Sequence, residues 1–145
     1  MLELLGRRYD TGEPVRITVD GERIAAVDAV TPRGSIEDWP WIAPGLFDLQ
    51  INGHTGVWFS KEDLTADDVI RTLRPHFQFG MTRIFPTLVT TSHAGFLAGF
   101  NAIREACERE HWVDRMVAGC HQEGPYIATE DGPRGAHPLR HVRGA

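Results

Sequence analysis

The chain has 145 residues, which is room for one domain of common size but well short of a two-domain enzyme. Hydrophobic residues make up 41% and charged residues 24%, a balance typical of folded globular proteins that excludes disordered, collagen-like and coiled-coil classes. The formal net charge is -5 and no basic stripe interrupts it, so we expect no nucleic-acid partner. Neither a cleavable leader nor an apolar run of about 18 residues is evident, and the two cysteines have no C-x-x-C spacing. We therefore expect a cytoplasmic protein with no membrane partner.

The first predicted element is a β-hairpin over residues 14–30. Apolar residues alternate with polar ones on both sides of the turn-forming pair Asp20-Gly21. A polar stretch rich in turn residues, 31–37, follows and precedes an apolar segment over 39–49. These features predict a small antiparallel unit that ends near residue 40.

The segment 60–79 predicts a helix. Thr65 is a suitable N-cap, acidic residues follow it in the first turn, and Leu64 can pack on Val69. Pro75 should kink or shorten this helix, and Gly80 should close it.

Two further strands and one helix are predicted after Gly80. The strands lie at 82–85 and 116–120, and Ser92 caps the helix between them. The apolar segment over 39–49 supplies the first strand, so strands and helices alternate and the strands should pair in parallel through right-handed crossovers. Periodicity leaves two α/β architectures open, the start of a (β/α)8 barrel and half of a doubly wound sheet.

Polar residues follow the first strand of this α/β unit. Asp48, Gln50 and Asn52 have a period of two, so they point to one face if the strand continues. In both architectures ligand groups lie at the carboxyl ends of strands. The alternative is a strand end that leads into a turn at Asn52-Gly53.

A second candidate site follows the predicted third strand. His121 and Glu123 share a face by alternation, and imidazole and carboxylate are ligands that divalent metals accept. The alternative is a buried pair joined by a hydrogen bond. Further along, the loop 131–138 carries Arg134 and His137, which suits either an anionic substrate or a solvated loop.

Four segments in this order resemble N-acetylglucosamine-6-phosphate deacetylases of the amidohydrolase superfamily. They are residues 43–53 (APGLFDLQING), 86–91 (PTLVTT), 121–126 (HQEGPY) and 134–138 (RGAHP). The resemblance implies an α/β fold. Residues 1–40 would be the N-terminal part of a small β-sandwich domain, and residues 41–145 the first strands and helices of an incomplete (β/α)8 TIM-type barrel. It also implies metal-dependent hydrolysis of N-acetylglucosamine 6-phosphate to glucosamine 6-phosphate and acetate.

The resemblance further implies roles for individual residues around one divalent cation, Zn²⁺ or similar. Glu123 corresponds to a metal ligand, and Gln50, Asn52 and His121 are expected to be its neighbours. Gln50 and Asn52 replace the paired metal histidines of many superfamily members, and this replacement implies a single metal site.

A substrate-binding loop is implied as well. Ala136 and His137 correspond to residues that contact the amino-sugar phosphate, the first through its backbone and the second through its ring. The family's catalytic aspartate and its remaining metal histidines are expected beyond Ala145, so no catalytic residue is expected within this chain. We expect an N-terminal fragment that is inactive alone, while the full-length protein is compatible with a homo-oligomer. The alternatives are another amidohydrolase that acts on a different amide, and a non-catalytic truncated product.

Overall fold

The computed structural model describes residues 1–144, and the chain divides into two compact units, Met1–Pro44 and a second that begins at Gly45. Within the described residues, the α-helices are α1 Ala66–Leu73, α2 His93–Arg109 and α3 His111–Met116. Short 3-10 helices span Ile36–Asp38, Arg74–Phe79 and Leu139–His141. The strands are β1 Leu2–Arg8, β2 Pro14–Asp20, β3 Arg23–Ala29, β4 Trp41–Ile42, β5 Leu46–Ile51, β6 Gly53–His54, β7 Val57–Trp58, β8 Met81–Val89 and β9 His121–Glu123.

The first unit is a sheet with strand order β3-β2-β1-β4. The predicted hairpin is confirmed, because β2 and β3 pair antiparallel around the turn after Asp20. The sequence reading missed β1, since the adjacent Leu4 and Leu5 obscure the alternation of a strand. One face of this sheet brings Leu4, Ile17 and Val27 into register, and Leu4 and Val27 are exposed. This apolar sheet face borders a cavity of about 550 Å³ within the first unit.

The second unit is built on a parallel sheet of β5, β8 and β9, in that order. Helix α1 lies between β5 and β8 in the chain, and α2 and α3 lie between β8 and β9. The predicted alternation of strands and helices with parallel pairing is therefore confirmed. A separate two-stranded sheet joins β6 and β7 just after β5.

Helix α1 begins and ends where local chemistry predicts. The side chain of Thr65 accepts a hydrogen bond from the backbone N–H of Asp68, and the Asp68 carboxylate accepts one from the N–H of Thr65. Leu64 and Val69 are both buried in the core, as a hydrophobic staple requires. The helix ends at Leu73, ahead of the 3-10 segment that contains Pro75. The predicted capping and shortening are confirmed.

The predicted strand over 116–120 is wrong. Trp112, Val113 and Met116 have helical spacing, and α3 buries Val113 and Met116 in the core. Only Val117 forms an isolated bridge to the sheet, by pairing with Ile84. The third strand of the parallel sheet is β9, His121–Glu123. The residues expected to follow that strand therefore form it.

The core of the second unit lies between β8 and the helices. Leu73 from α1, Ile84 and Leu88 from β8, Ile103 from α2 and Met116 from α3 are all at most 2% exposed. This packing fixes the carboxyl end of β8 against its neighbours. In the part of the chain that is described, no helix is long and apolar enough to cross a membrane.

Candidate active site at the carboxyl end of the parallel sheet

Polar side chains from all three parallel strands meet near the carboxyl ends of these strands. Gln50 is the penultimate residue of β5, Glu123 is the last residue of β9, and Thr90 directly follows β8. Val89 pairs with Glu123 across the sheet, so the ends of β8 and β9 lie side by side. Parallel pairing thus brings together residues that are far apart in the chain.

The Glu123 carboxylate has a partner on each oxygen. The side-chain amide of Gln50 donates a hydrogen bond to Oε2 at 2.9 Å, and Nε2 of His137 lies 3.4 Å from Oε1. The side chain of Glu123 is 33% exposed and that of His137 is 16% exposed. The carboxylate is therefore held in a defined position while it stays open to a ligand.

Thr90 ties the histidine to the sheet. Its Oγ1 lies 2.9 Å from Nδ1 of His137, and its hydroxyl donates to the backbone carbonyl of Glu123 at 3.4 Å. The side chain is buried, with 2% of the residue exposed. Gly124 lies against Thr90, and a β-carbon on Gly124 would strike the Thr90 hydroxyl.

A cavity of about 340 Å³ opens over these groups. Asn52, Trp58, Glu123, Ala136 and His137 all line it. The structure thus brings Gln50, Asn52, Glu123, Ala136 and His137 to one place, with Gln50 joined through its hydrogen bond to Glu123.

The loop that closes this cavity is internally bonded. The Arg134 guanidinium donates to the carbonyl of His137 at 2.9 Å and pairs with Asp131 at 3.1 Å. The backbone N–H of Arg134 donates to the carbonyl of Glu130. Both loop residues considered for an anionic ligand line the cavity. Arg134 also shapes the loop through these bonds.

His121 lies two residues before Glu123 on β9 and contacts β8. Its Nδ1 lies 3.4 Å from Oγ1 of Thr87, whose hydroxyl donates to the carbonyl of Phe85. Alternation along β9 predicts that His121 and Glu123 share a face, and both are half-buried while Gln122 between them is exposed. Glu123 lines the cavity and His121 does not. Its neighbour across the sheet is Thr87, two residues before the partner of Glu123.

The residues present supply one part of a metal site. A catalytic divalent metal takes about three protein ligands, and Glu123 is the one carboxylate on the cavity wall. No group of three or more histidine, cysteine, aspartate or glutamate residues within 1–144 could hold a metal ion. These residues alone therefore do not fit a complete metal centre.

Comparison with known proteins identifies relatives by sequence and by structure. N-acetylglucosamine-6-phosphate deacetylase from Bos taurus is 38% identical over 104 residues, which is 70% of this chain. N-acetylgalactosamine-6-phosphate deacetylase from Shewanella sp. (strain ANA-3) is 32% identical over 103 residues, or 71% of this chain. The matched segments make up 24% and 25% of those two proteins, so the chain matches about a quarter of their length. The crystal structure of N-acetyl-D-glucosamine-6-phosphate deacetylase from Mycobacterium smegmatis superposes with a TM-score of 0.73, and the match has 25% identity and covers 100% of this chain and 38% of that one.

The chain is homologous to part of the N-acetylglucosamine-6-phosphate deacetylases. The named relatives are deacetylase enzymes. Their names agree with the resemblance that the four sequence segments carry. No family model matches the chain. A mutant of the M. smegmatis deacetylase, 23% identical to this chain, has been solved in complex with N-acetyl-D-glucosamine-6-phosphate.

Two residues at the candidate site were missed by sequence reasoning. Thr90 lies within one of the four segments that carry the resemblance, but its hydroxyl was given no role. Trp58 lines the cavity from β7. A local signal existed for Thr90 alone, since it follows a β-strand at the end where ligand groups gather.

Proposed function

We propose that this chain forms the N-terminal part of an enzyme that hydrolyses the N-acetyl amide of N-acetylglucosamine 6-phosphate, releasing acetate and glucosamine 6-phosphate. The observation that carries this proposal is the meeting of Glu123 and His137 on the wall of one cavity, with Gln50 hydrogen-bonded to Glu123. These are the residues that the family resemblance assigns to the metal and the substrate. Homology to named deacetylases supports the same reaction.

The chain's own residues bind and orient the ligand in this proposal. His137 presents Nε2 beside Glu123, and Ala136 forms the neighbouring wall. The cavity of about 340 Å³ is within the range of small-molecule sites. The amino-sugar phosphate found in the M. smegmatis complex supports this class of ligand.

We also propose that Glu123 ligates a divalent cation, Zn²⁺ or similar, together with ligands that lie outside residues 1–144. Support comes from a carboxylate that is one third exposed and already oriented by Gln50. His121 and Asn52 would then be neighbours of that centre, with His121 held on the side of Thr87. The family's catalytic aspartate also belongs to the part of the enzyme outside this chain.

The same proposal extends to architecture and location. Three parallel strands in chain order suit the start of a (β/α)8 barrel and half of a doubly wound sheet alike, and the family resemblance favours the barrel. The first unit would then be the N-terminal part of a β-sandwich domain. Cys107 and Cys120 are both free thiols, which supports a reducing compartment such as the cytoplasm.

A second candidate substrate is N-acetylgalactosamine 6-phosphate. The Shewanella relative that carries this name matches as long a segment of the chain as the glucosamine enzymes do. The two sugars carry the same acetamide and phosphate groups, so the proposed chemistry is the same for both.

The test is acetate release from each sugar phosphate, by this chain and by the protein that the whole reading frame encodes. We expect acetate from N-acetylglucosamine 6-phosphate with the longer protein and none with the 145-residue chain. Faster release from the galactosamine substrate would favour the second candidate. Activity of the 145-residue chain would show that the catalytic residues lie within it, and release from neither substrate by the longer protein would refute both.

A further inference from the structure

We propose that Trp58 is a platform on which the C–H face of a sugar ring packs, so that the cavity selects ring-form acetamido sugars over open-chain amides. This inference rests on the proposed function, because it names the class of substrate that the same cavity would take. Trp58 lies outside the four segments that carry the family resemblance, and the proposed metal chemistry does not involve it.

The first step is the exposure of Trp58 compared with the residues that follow it. Trp58 is 48% exposed, whereas Phe59 is fully buried and Ser60 is 7% exposed. Phe59 therefore anchors this segment in the core, and the indole of Trp58 is left open. Of the described residues that line the cavity of Glu123 and His137, Trp58 has the largest apolar side chain.

The second step is the hairpin of β6 and β7, which fixes the backbone of Trp58. Trp58 pairs with Gly53, and the next N–H, that of Phe59, donates to the carbonyl of Asn52 at 3.0 Å. A β-carbon on Gly53 would strike the backbone carbonyl of Val57, so the two strands approach this closely only with glycine at that position. Trp58 is therefore presented from a tight hairpin.

The third step is a bond between this hairpin and the carboxylate side of the cavity. The hydroxyl of Ser60 accepts a hydrogen bond from the backbone N–H of Val89 at 2.8 Å. Val89 in turn pairs with Glu123 across β8 and β9. The indole of Trp58 and the carboxylate of Glu123 are therefore held in a defined relation by the packed backbone before any ligand arrives.

The fourth step is the chemistry of the cavity wall, which combines two kinds of surface. Glu123 and His137 offer polar groups, whereas Trp58 offers the flat apolar face of an indole. A glucosamine ring has the matching surfaces, because its hydroxyl groups lie around the ring edge and its axial C–H groups form an apolar face. These hydrogens carry partial positive charge, which the negative face of an aromatic ring attracts. An open-chain amide has no such face, so the indole favours the ring.

The experiment uses the longer protein and two probes that differ in the ring. N-acetylglucosamine 6-phosphate carries the ring, and O-phospho-N-acetylethanolamine carries an acetamide and a phosphate without it. KM and kcat are measured for the first probe, and the second is measured as an inhibitor. Trp58→Ala removes the platform, and Trp58→Phe keeps an aromatic face. The matched control is Trp41→Ala, which removes an indole that is 58% exposed from the first unit.

We expect Trp58→Ala to raise KM for the sugar about tenfold at unchanged metal content, the factor that corresponds to about 60 Å² of apolar surface no longer covered. Trp58→Phe should keep most of the affinity, and Trp41→Ala all of it. The inhibition constant of the open-chain probe should be the same in wild type and Trp58→Ala. An unchanged KM in Trp58→Ala overturns the proposal, as does equal weakening of the open-chain probe or an equal effect of Trp41→Ala.

A binding measurement on the wild type decides the matter if the longer protein releases no acetate or if Trp58→Ala does not fold. The indole N–H signals are recorded by ¹H–¹⁵N correlation after labelling with ¹⁵N-tryptophan. Those of Trp58 and Trp41 are assigned by their loss when each residue is replaced by phenylalanine. N-acetylglucosamine 6-phosphate should shift the Trp58 signal alone of the two, and inorganic phosphate should shift neither. A Trp58 signal that does not move with the sugar overturns the proposal.

The failure of this inference and that of the proposed function are distinguishable. A shifted Trp58 signal without acetate release would overturn the proposed function alone. Acetate release with an unmoved Trp58 signal and an unchanged KM in Trp58→Ala would overturn the platform alone.

Discussion

Replacing Gly124 by alanine should destabilise the second unit far more than a similar change elsewhere. Gly124 has φ +85°, a backbone conformation that costs a residue with a β-carbon about 1–2 kcal/mol. The added methyl group would also strike the Thr90 hydroxyl, which is buried and bonded. Overpacking at such a site costs about 1–3 kcal/mol, and a lost hydrogen bond about 0.5–1.5 kcal/mol.

Gly132 provides the matched control for this change. It has φ +92°, and no atom lies within 4 Å of a β-carbon built on it. Gly132→Ala therefore carries the backbone cost alone. We expect Gly124→Ala to lower the free energy of unfolding by about 2–4 kcal/mol more than Gly132→Ala does.

The assay is urea unfolding of the 145-residue chain, followed by far-ultraviolet ellipticity at the helix band. All the α-helices in the described residues belong to the second unit, so this signal reports that unit. Equal destabilisation by the two variants would refute the reasoning, since it would mean that the Thr90 hydroxyl moves aside at no cost.

Four further outcomes are expected. In the full-length enzyme, Glu123→Gln should lower both the amount of bound divalent metal and the rate of acetate release, because a neutral amide replaces the one carboxylate on the cavity wall. Stoichiometric metal with normal turnover would contradict this. His137→Ala should lower kcat/KM while metal content stays unchanged, and parallel loss of metal would refute a role in substrate binding. Burial opposes ionisation of Asp68, yet hydrogen bonds from Lys61 and Thr65 outweigh it and hold the pKa of this carboxyl below its ordinary value. The Asp68 carboxylate therefore stabilises the fold above the ordinary aspartate pKa, and this stability is lost as the pH falls through the lower pKa of the folded state. The difference in unfolding free energy between wild type and Asp68→Asn should shrink on acidification. A difference that does not change with pH would contradict this. The 145-residue chain should self-associate, because the apolar sheet face of the first unit is exposed, and a monodisperse monomer in sedimentation would argue against this.

Local signals in the sequence predicted the helix boundaries because their causes are local. Thr65, Ser92 and Pro75 act within one turn of the helices they begin or end, so adjacent residues carry the whole of the information. The third strand was misplaced for a related reason. Short apolar runs suit a strand or a helix, and burial of Val113 and Met116 by α3 decides between them only in three dimensions.

The candidate site was predictable in its membership but not in its contacts. Alternation singled out Gln50, Asn52 and Glu123, the composition of the loop singled out His137, and the family resemblance added Ala136. The same alternation places His121 on the face of Glu123, but it cannot tell that the ring meets Thr87 across the sheet, and a place beside a metal stays a prediction. Thr90 escaped notice because its role depends on two partners that only the folded sheet brings within reach.

The contacts around Glu123 also bear on the order in which this chain folds. Its hydrogen bond with Gln50 closes a separation of 73 residues, and the contact of Thr90 with His137 closes one of 47. Forming contacts of this range costs loop-closure entropy before the contacts stabilise the fold. They should therefore form after the helices and after the pairing of β5, β8 and β9. A ligand that binds only the finished cavity would stabilise the parallel sheet as a whole by mass action. Ligand-dependent protection of β8 amides ahead of Val89 from hydrogen exchange would therefore report occupancy of the cavity from residues that do not line it.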